Sequence, residues 1–223
     1  MIEIHNTEVS GWEAAVRGMR NPMNSWEKSD SHWYTEINTD PVYYVGDNDL
    51  SLMKKLIAAG TDHSKFMRMI NVTADVTAPL YWWKHFDQYK VGTVTNSTST
   101  MHKIADKEFT LDDFSHEKLI NSSCMEIQEQ NIRISPMQAL LTTIECLNSY
   151  RDLYLETKDK KYWWQMIQLL PSSYNQKRTV QLNYAVLRNI YHSRKDHKLD
   201  CWKDFCKWIE TLPYAQELIC NVD

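Results

Sequence analysis

Thr93, Thr95, Ser97, Thr98, Ser99 and Thr100 crowd six hydroxyls into eight residues, and Lys84, His85, Lys90, His102 and Lys103 flank them. Hydroxyls and backbone amides beside lysines are what an oxyanion such as phosphate requires: short-range donors, and cations to offset its charge. The same residue types also stabilise turns and caps through local bonds, so a plain polar loop is the alternative reading. Asn183 and Arg194 form a second candidate pair. They are eleven residues apart, which on an ideal helix brings two side chains within about 20° of each other. Both would flank an apolar stripe of Val180, Tyr184, Leu187 and Tyr191. Polar groups at the edge of a buried face need partners. A ligand could supply them, or an arginine reaching solvent past its own stem and an asparagine bonded to backbone. Trp82-Trp83 and Trp163-Trp164 offer surfaces for a planar ring, or for core packing.

Other chemistries find no support in the residues. The five glycines, Gly11, Gly18, Gly46, Gly60 and Gly92, are dispersed, so no glycine-rich loop brings backbone amides to a phosphate. No Gly-x-Ser-x-Gly elbow or His-Glu-x-x-His pair occurs, and His192 and His197 are five apart, off a common helix face; no metal site is expected. Asp112-Asp113 reads as a solvated helix start. Cys124, Cys146, Cys201, Cys206 and Cys220 form no Cys-x-x-Cys pair, and no signal peptide is read ahead of them. Reduced thiols in a cytoplasmic protein are the expectation. A net charge of −4 argues against a nucleic-acid polymer as partner, and no apolar run approaches the ~20 residues of a membrane span.

The elements that must position these residues follow from periodicity. The 223 residues suffice for one sizeable domain, and no repeat, linker or boundary divides them, so residues 1–223 are read as a single domain. Residues 1–48 carry Trp12, Trp26 and Trp33 without a clear period. Asn48 or Asp49 can cap a helix containing Leu50, Met53, Leu56 and Ile57, closed by Gly60. Phe66, Ile70, Val72, Ala74 and Val76 alternate as a strand that Pro79 ends. A short helix over Leu80–Tyr89 leads into the hydroxyl loop. Thr110 and Asp113 form a capping box, as do Ser135 and Gln138 around Pro136. The latter opens a helix with Met137, Leu140, Leu141, Ile144, Leu147 and Tyr154 on one face. Lys158 to Lys161 interrupts it, and Tyr162–Leu170 continues in helical style to Pro171. Helices are also expected over roughly 176–193 and from Trp202 to Glu210. The sum is an α+β fold, rich in helix, with a small antiparallel sheet and flanking helices.

Two segments resemble the flavin-dependent thymidylate synthase family. In that family a strand runs into Ala-Pro, a helix, Arg-His-Arg, and a loop like Asn-Glu-x-Ser-x-Arg-Tyr. Here Ala78-Pro79 follows the strand, Gln88-Tyr89-Lys90 stands at the Arg-His-Arg position, and Thr95 to Met101 stands at the loop, with Thr98 at the serine. Farther on, the family's Leu-Pro, Asn, second Asn six residues later and Arg five beyond are similar to Leu170-Pro171, Asn183, Asn189 and Arg194, with His197 near the family's following histidine. Asn96, Thr100, Met101 and Ile167 stand where the family has Glu, Arg, Tyr and Arg. The resemblance covers roughly residues 50–104 and 165–205, not clearly 1–48.

The resemblance implies reductive one-carbon transfer to a pyrimidine deoxynucleotide such as dUMP. FAD would be the cofactor, with NADPH and methylenetetrahydrofolate as co-substrates, in a homotetramer with sites between subunits. It implies flavin contacts from Gln88, Tyr89, Lys90, Asn96, Asn183, Asn189, Arg194 and His197. Arg194 and Lys90 are implied as catalytic cations, and Ser97, Thr98, Ser99 and Arg194 as nucleotide contacts. With one lysine for two arginines in Gln88-Tyr89-Lys90, a non-catalytic protein holding a nucleotide or a partner on the same scaffold is the rival reading.

Overall fold

A computed structural model describes residues 2–35, 40–123, 125–127 and 132–221. In chain order the elements are β1 (Glu3–Ser10), α1 (Trp12–Arg20), β2 (His32–Tyr34), β3 (Val42–Tyr44), α2 (Asp47–Ala58), β4 (Asn71–Pro79), α3 (Leu80–Phe86), β5 (Val94–Ser97), β6 (Met125–Ile127), β7 (Ile132–Ile134), α4 (Pro136–Thr157), α5 (Lys160–Leu169), β8 (Asn175–Asn183), α6 (Tyr184–Arg194) and α7 (Asp200–Glu210). Four strands form the main sheet in the order β1-β4-β8-β5, and β2-β3 and β6-β7 are two-stranded hairpins. The expected helix-rich α+β class is the class observed.

Several local expectations hold because their signals are local. Ser135 and Gln138 exchange reciprocal cap bonds, with Pro136 at the first helical position. Thr110 and Asp113 do the same over a single 3-10 turn. Lys158 ends α4 in a left-handed conformation, and Asp159 caps α5 by accepting from the Lys161 amide. The side chains Val72, Ala74, Val76 and Ala78 of β4 are buried in strict alternation, which is the period-two signature of a half-covered strand.

Others are corrected. The strand begins at Asn71, not Phe66: Phe66 and Met67 are buried in a 3-10 turn over Lys65–Arg68. The helix after Pro79 stops at Phe86, and the expected hydroxyl loop contains strand β5. Instead of a helix over 176–193, β8 runs to Asn183 and α6 begins at Tyr184. Val180 and Leu182 are inward positions of a strand, and only Tyr184 onward follows a helical period. Neither Asn48 nor Asp49 caps α2. The Asp30 carboxylate accepts from both their amides, at 2.9 and 3.1 Å. Residues 1–48, which show no clear period, carry β1, α1 and the β2-β3 hairpin.

The described residues fall into two compact units, each assembled from separate stretches of sequence. One comprises residues 77–86 and 97–178. Its core gathers Ile104, Phe109, Phe114, Leu140, Ile144, Leu147 and Met166. The Asn148 amide ties the chain to α4 by bonding both the N–H and the C=O of Phe109. Trp82 and Trp83 are buried in this unit, so core packing is their role.

The other unit comprises residues 2–76, 87–96 and 179–223. Tyr184, Leu187 and Ile190 of α6 and Trp202, Phe205 and Ile209 of α7 are buried there, each contributing about 1.5–3 kcal/mol of hydrophobic burial. Its least expected feature is a buried ion pair, Arg20 Nε to Asp49 Oδ1 at 2.6 Å. The remaining Arg20 donors reach the carbonyls of Ser25 and Lys28. Asp49 Oδ2 accepts from the hydroxyls of Ser29 and Ser31. The pair thus ties α1, α2 and the chain between them to one point.

Candidate functional site

Arg194, in the last turn of α6, is half-buried in the second unit. Its Nε donates to the Tyr89 hydroxyl at 2.9 Å, and its guanidinium lies 5.2 Å from the Trp202 ring centre and 5.7 Å from that of Tyr89. Tyr89 and Trp202 meet edge to face at 6.0 Å. The two rings therefore fix the plane of the guanidinium through one hydrogen bond and two cation–π contacts. The terminal nitrogens of Arg194 have no hydrogen-bond partner among the described residues. A planar, oriented fork of this kind suits a carboxylate, a phosphate or the carbonyl edge of a base.

The neighbouring candidates divide by what their atoms already do. Asn183 is the N-cap of α6: its Oδ1 accepts from the Val186 amide at 3.1 Å, leaving Nδ2 as its donor. Its position is made possible by Gly92, which has φ +74° and whose added Cβ would sit 2.7 Å from Asn183 Nδ2. Gly92→Ala is expected to lower stability by about 1 kcal/mol or more, since alanine resists positive φ and the asparagine must move. Thermal unfolding checks this; an unchanged midpoint would mean that the loop relaxes without cost. Asn189 is exposed and accepts a long bond from Ser193 at 3.4 Å. His197 accepts from the Leu199 amide through Nδ1 and lies 6.4 Å from the Trp202 ring. Gln88, Lys90 and Asn96 are exposed. The Thr93 hydroxyl is buried without a partner among the described residues.

Ser97, Thr98 and Ser99 belong to the first unit. The Thr98 amide and hydroxyl both donate to the Lys177 carbonyl. Ser99 Oγ accepts from the amides of Met101 and His102, at 3.2 and 2.9 Å, which leaves its own proton to give. Thus the hydroxyl run builds a strand edge and a turn, and of these three residues Ser97 and Ser99 keep a hydroxyl proton to give while Thr98 spends its own. Two residues the sequence reading passes over stand beside it. The buried Gln176 amide donates to the Thr98 carbonyl, and Arg178 donates to Gln176 while lying 4.2 Å from the Trp83 ring. A period-two reading of residues 175–183 would have put Gln176 and Arg178 on the same face of a strand; the helical reading separates them.

Burial pushes the Cys206 thiol up to about 12, so it is protonated and a poor nucleophile at neutral pH. Cys124 lies outside the described residues. Among the described residues no group of three His, Cys, Asp or Glu side chains is placed to hold a metal, and no helix is long and apolar enough to cross a membrane.

No family model matches the chain, and no curated protein matches it in sequence. Solved structures do match in fold. The flavin-dependent thymidylate synthase ThyX from Helicobacter pylori, complexed with FAD and dUMP, superposes with a TM-score of 0.66 over 97% of each chain, at 15% identity. The UMP/dUMP methylase PolB from Streptomyces cacaoi, bound with 5-Br dUMP, superposes with a TM-score of 0.60 at 14% identity, over 98% of this chain and 94% of that one. The chain has the flavin-dependent thymidylate synthase fold.

Proposed function

We propose that this protein binds FAD and a pyrimidine deoxynucleotide such as dUMP and transfers a one-carbon unit to the pyrimidine. NADPH would be the reductant and methylenetetrahydrofolate the carbon donor, in a cytoplasmic homotetramer. The observation that carries the reading is the Arg194 fork, held by Tyr89 and Trp202 with its terminal nitrogens uncommitted. The shared fold supports it, since the ThyX structure holds FAD and dUMP and the PolB structure holds 5-Br dUMP.

The polar groups of the second unit fit a flavin. The terminal nitrogens of Arg194, the Lys90 ammonium and the Asn189 amide are the proposed donors to its ring edge and phosphates, and the Thr93 hydroxyl is a buried group still lacking a partner among the described residues. Asn183 brings Nδ2 alone, and Gln88, Asn96 and His197 complete the proposed contact set. When bound, the flavin supplies the electrons for reductive transfer. Arg194 orients the pyrimidine and stabilises negative charge developing on its carbonyl oxygen, and Lys90 adds a second positive charge. Tyr89 holds Arg194 in place. Within the first unit, Ser97 and Ser99 are the proposed phosphate donors, while the Thr98 hydroxyl is spent on the Lys177 carbonyl.

Purified protein is expected to be yellow or to take up added FAD, and to oxidise NADPH faster when dUMP is present. Colourless protein that ignores FAD in excess overturns the reading. A second reading, a non-catalytic nucleotide-binding protein, is favoured by Gln88-Tyr89-Lys90, where a single flexible cation stands at a position that has two forked arginines in the family it resembles. FAD uptake without dUMP-stimulated NADPH oxidation would select it.

A further inference from the structure

The β2-β3 hairpin stands over a cavity of about 670 Å³, separate from the residues proposed for flavin and nucleotide. Its register sets Trp33 directly opposite Tyr43, and the two rings meet edge to face at 5.2 Å. Trp12, at the start of α1, makes a second such pair with Tyr214, also at 5.2 Å. All four rings line the cavity, together with Glu13 and Arg17. Its size is that of an ordinary small-molecule pocket.

Tyr214 is set there at a cost. It occupies the left-handed region at φ 54°, which side chains other than glycine and asparagine seldom adopt. The Val45 amide donates to its hydroxyl at 3.0 Å, and the Tyr184 hydroxyl donates to the carbonyl of the preceding Pro213 at 2.6 Å. The contacts around Tyr214 thus hold its ring against the cavity.

The charges favour a positive guest. Aromatic faces carry negative potential. One Glu13 oxygen accepts from Trp33 Nε1 at 3.1 Å, which brings the carboxylate to the rings. Burial, and after it the Asp49 and Glu13 carboxylates, hold the Tyr43 phenol above its ordinary value, against opposing contributions from the Ser31 hydrogen bond and then Arg17. Among the described lining residues Arg17 is the one cation, 3.6 Å from the other Glu13 oxygen.

We propose that this cavity binds small organic ammonium ions, the rings of Trp12, Trp33, Tyr43 and Tyr214 taking the cation and Glu13 balancing its charge. The full chain is titrated calorimetrically with choline, with methylammonium, and with the uncharged isostere of choline in which carbon replaces nitrogen. Choline or methylammonium is expected to bind about tenfold or more tightly than the isostere. A preference for choline marks quaternary ions as the guests; a preference for methylammonium marks primary amines. Trp33 and Glu13 are largely exposed, so Trp33→Leu and Glu13→Gln are expected to weaken the cation several-fold while leaving the thermal midpoint of the free protein unchanged. Arg17→Gln, which removes the competing cation, is expected to strengthen it. Equal affinity for choline and the isostere overturns the proposal, because the cavity is then merely apolar. Absence of binding by both ammonium ions, or full affinity in both the Trp33→Leu and Glu13→Gln variants, overturns it as well.

Discussion

Asp49→Ala is expected to destabilise the protein by about 3–5 kcal/mol, the usual cost of leaving one member of a buried pair without its partner. Asp49 is fully buried and Arg20 nearly so. The substitution strands the Arg20 guanidinium among neutral carbonyls, and it also strands the Ser29 and Ser31 hydroxyls that donate to Asp49 Oδ2. Urea unfolding measures the loss; a cost below about 1 kcal/mol would mean that water enters and replaces the carboxylate. Replacing both residues by apolar ones of similar size is expected to cost less than the single change, because no charge is then left buried. The pH dependence has a defined sign. Burial alone would raise the Asp49 carboxyl, but hydrogen bonds from Ser29, Ser31 and Arg20, and the Arg20 charge, outweigh it and hold it below the ordinary value. A carboxyl depressed on folding stabilises the protein above its unfolded value of about 3.9 and loses that contribution as pH falls through the folded value. The stability gap between the parent and Asp49→Asn is therefore expected to narrow in acid below that unfolded value. A gap that widens there would contradict the assignment.

Arg194→Ala is expected to weaken FAD or dUMP binding by about 10–100-fold, the range for losing a charged hydrogen-bond donor set. Stability is expected to change little, because the side chain is half-buried and its hydrogen-bond partner, Tyr89, is itself half-buried. Arg194→Lys keeps the charge but loses the fork and the flat contact with Trp202, so it is expected to fall between parent and alanine. Equilibrium dialysis with each ligand, beside a thermal melt, separates binding from folding. Unchanged affinity for both ligands in a folded Arg194→Ala protein removes Arg194 from the site.

These two expectations differ in how much of their basis was legible beforehand. Arg194 and Asn183 stand out in the sequence by spacing alone, and the resemblance of Leu170-Pro171, Asn183, Asn189 and Arg194 to one family agrees with the fold observed. Yet the shared helix face that their spacing implies does not exist. Asn183 is not on the helix with Arg194; it caps that helix from the end of β8. The pair Arg20 and Asp49 is invisible in sequence, because nothing in a charge 29 residues from another indicates that both are dry.

By itself the sequence determined what depends on near neighbours. The Ser135-Pro136-Gln138 start of α4, the break at Lys158, the alternation of β4 and the helix-rich α+β class are written in capping chemistry and periodicity, which act over a few residues. The tertiary structure decided the rest. It turned residues 175–183 into a strand, because a place between β4 and β5 satisfies their backbone on both sides and the fold covers Val180 and Leu182, where local propensity alone reads helix. It spent Asn183 on a cap and Thr98 on the Lys177 carbonyl, and it gave Arg194 its orientation through Tyr89, 105 residues away. Contacts at that separation are set by how elements pack, and no local pattern of residue types records them.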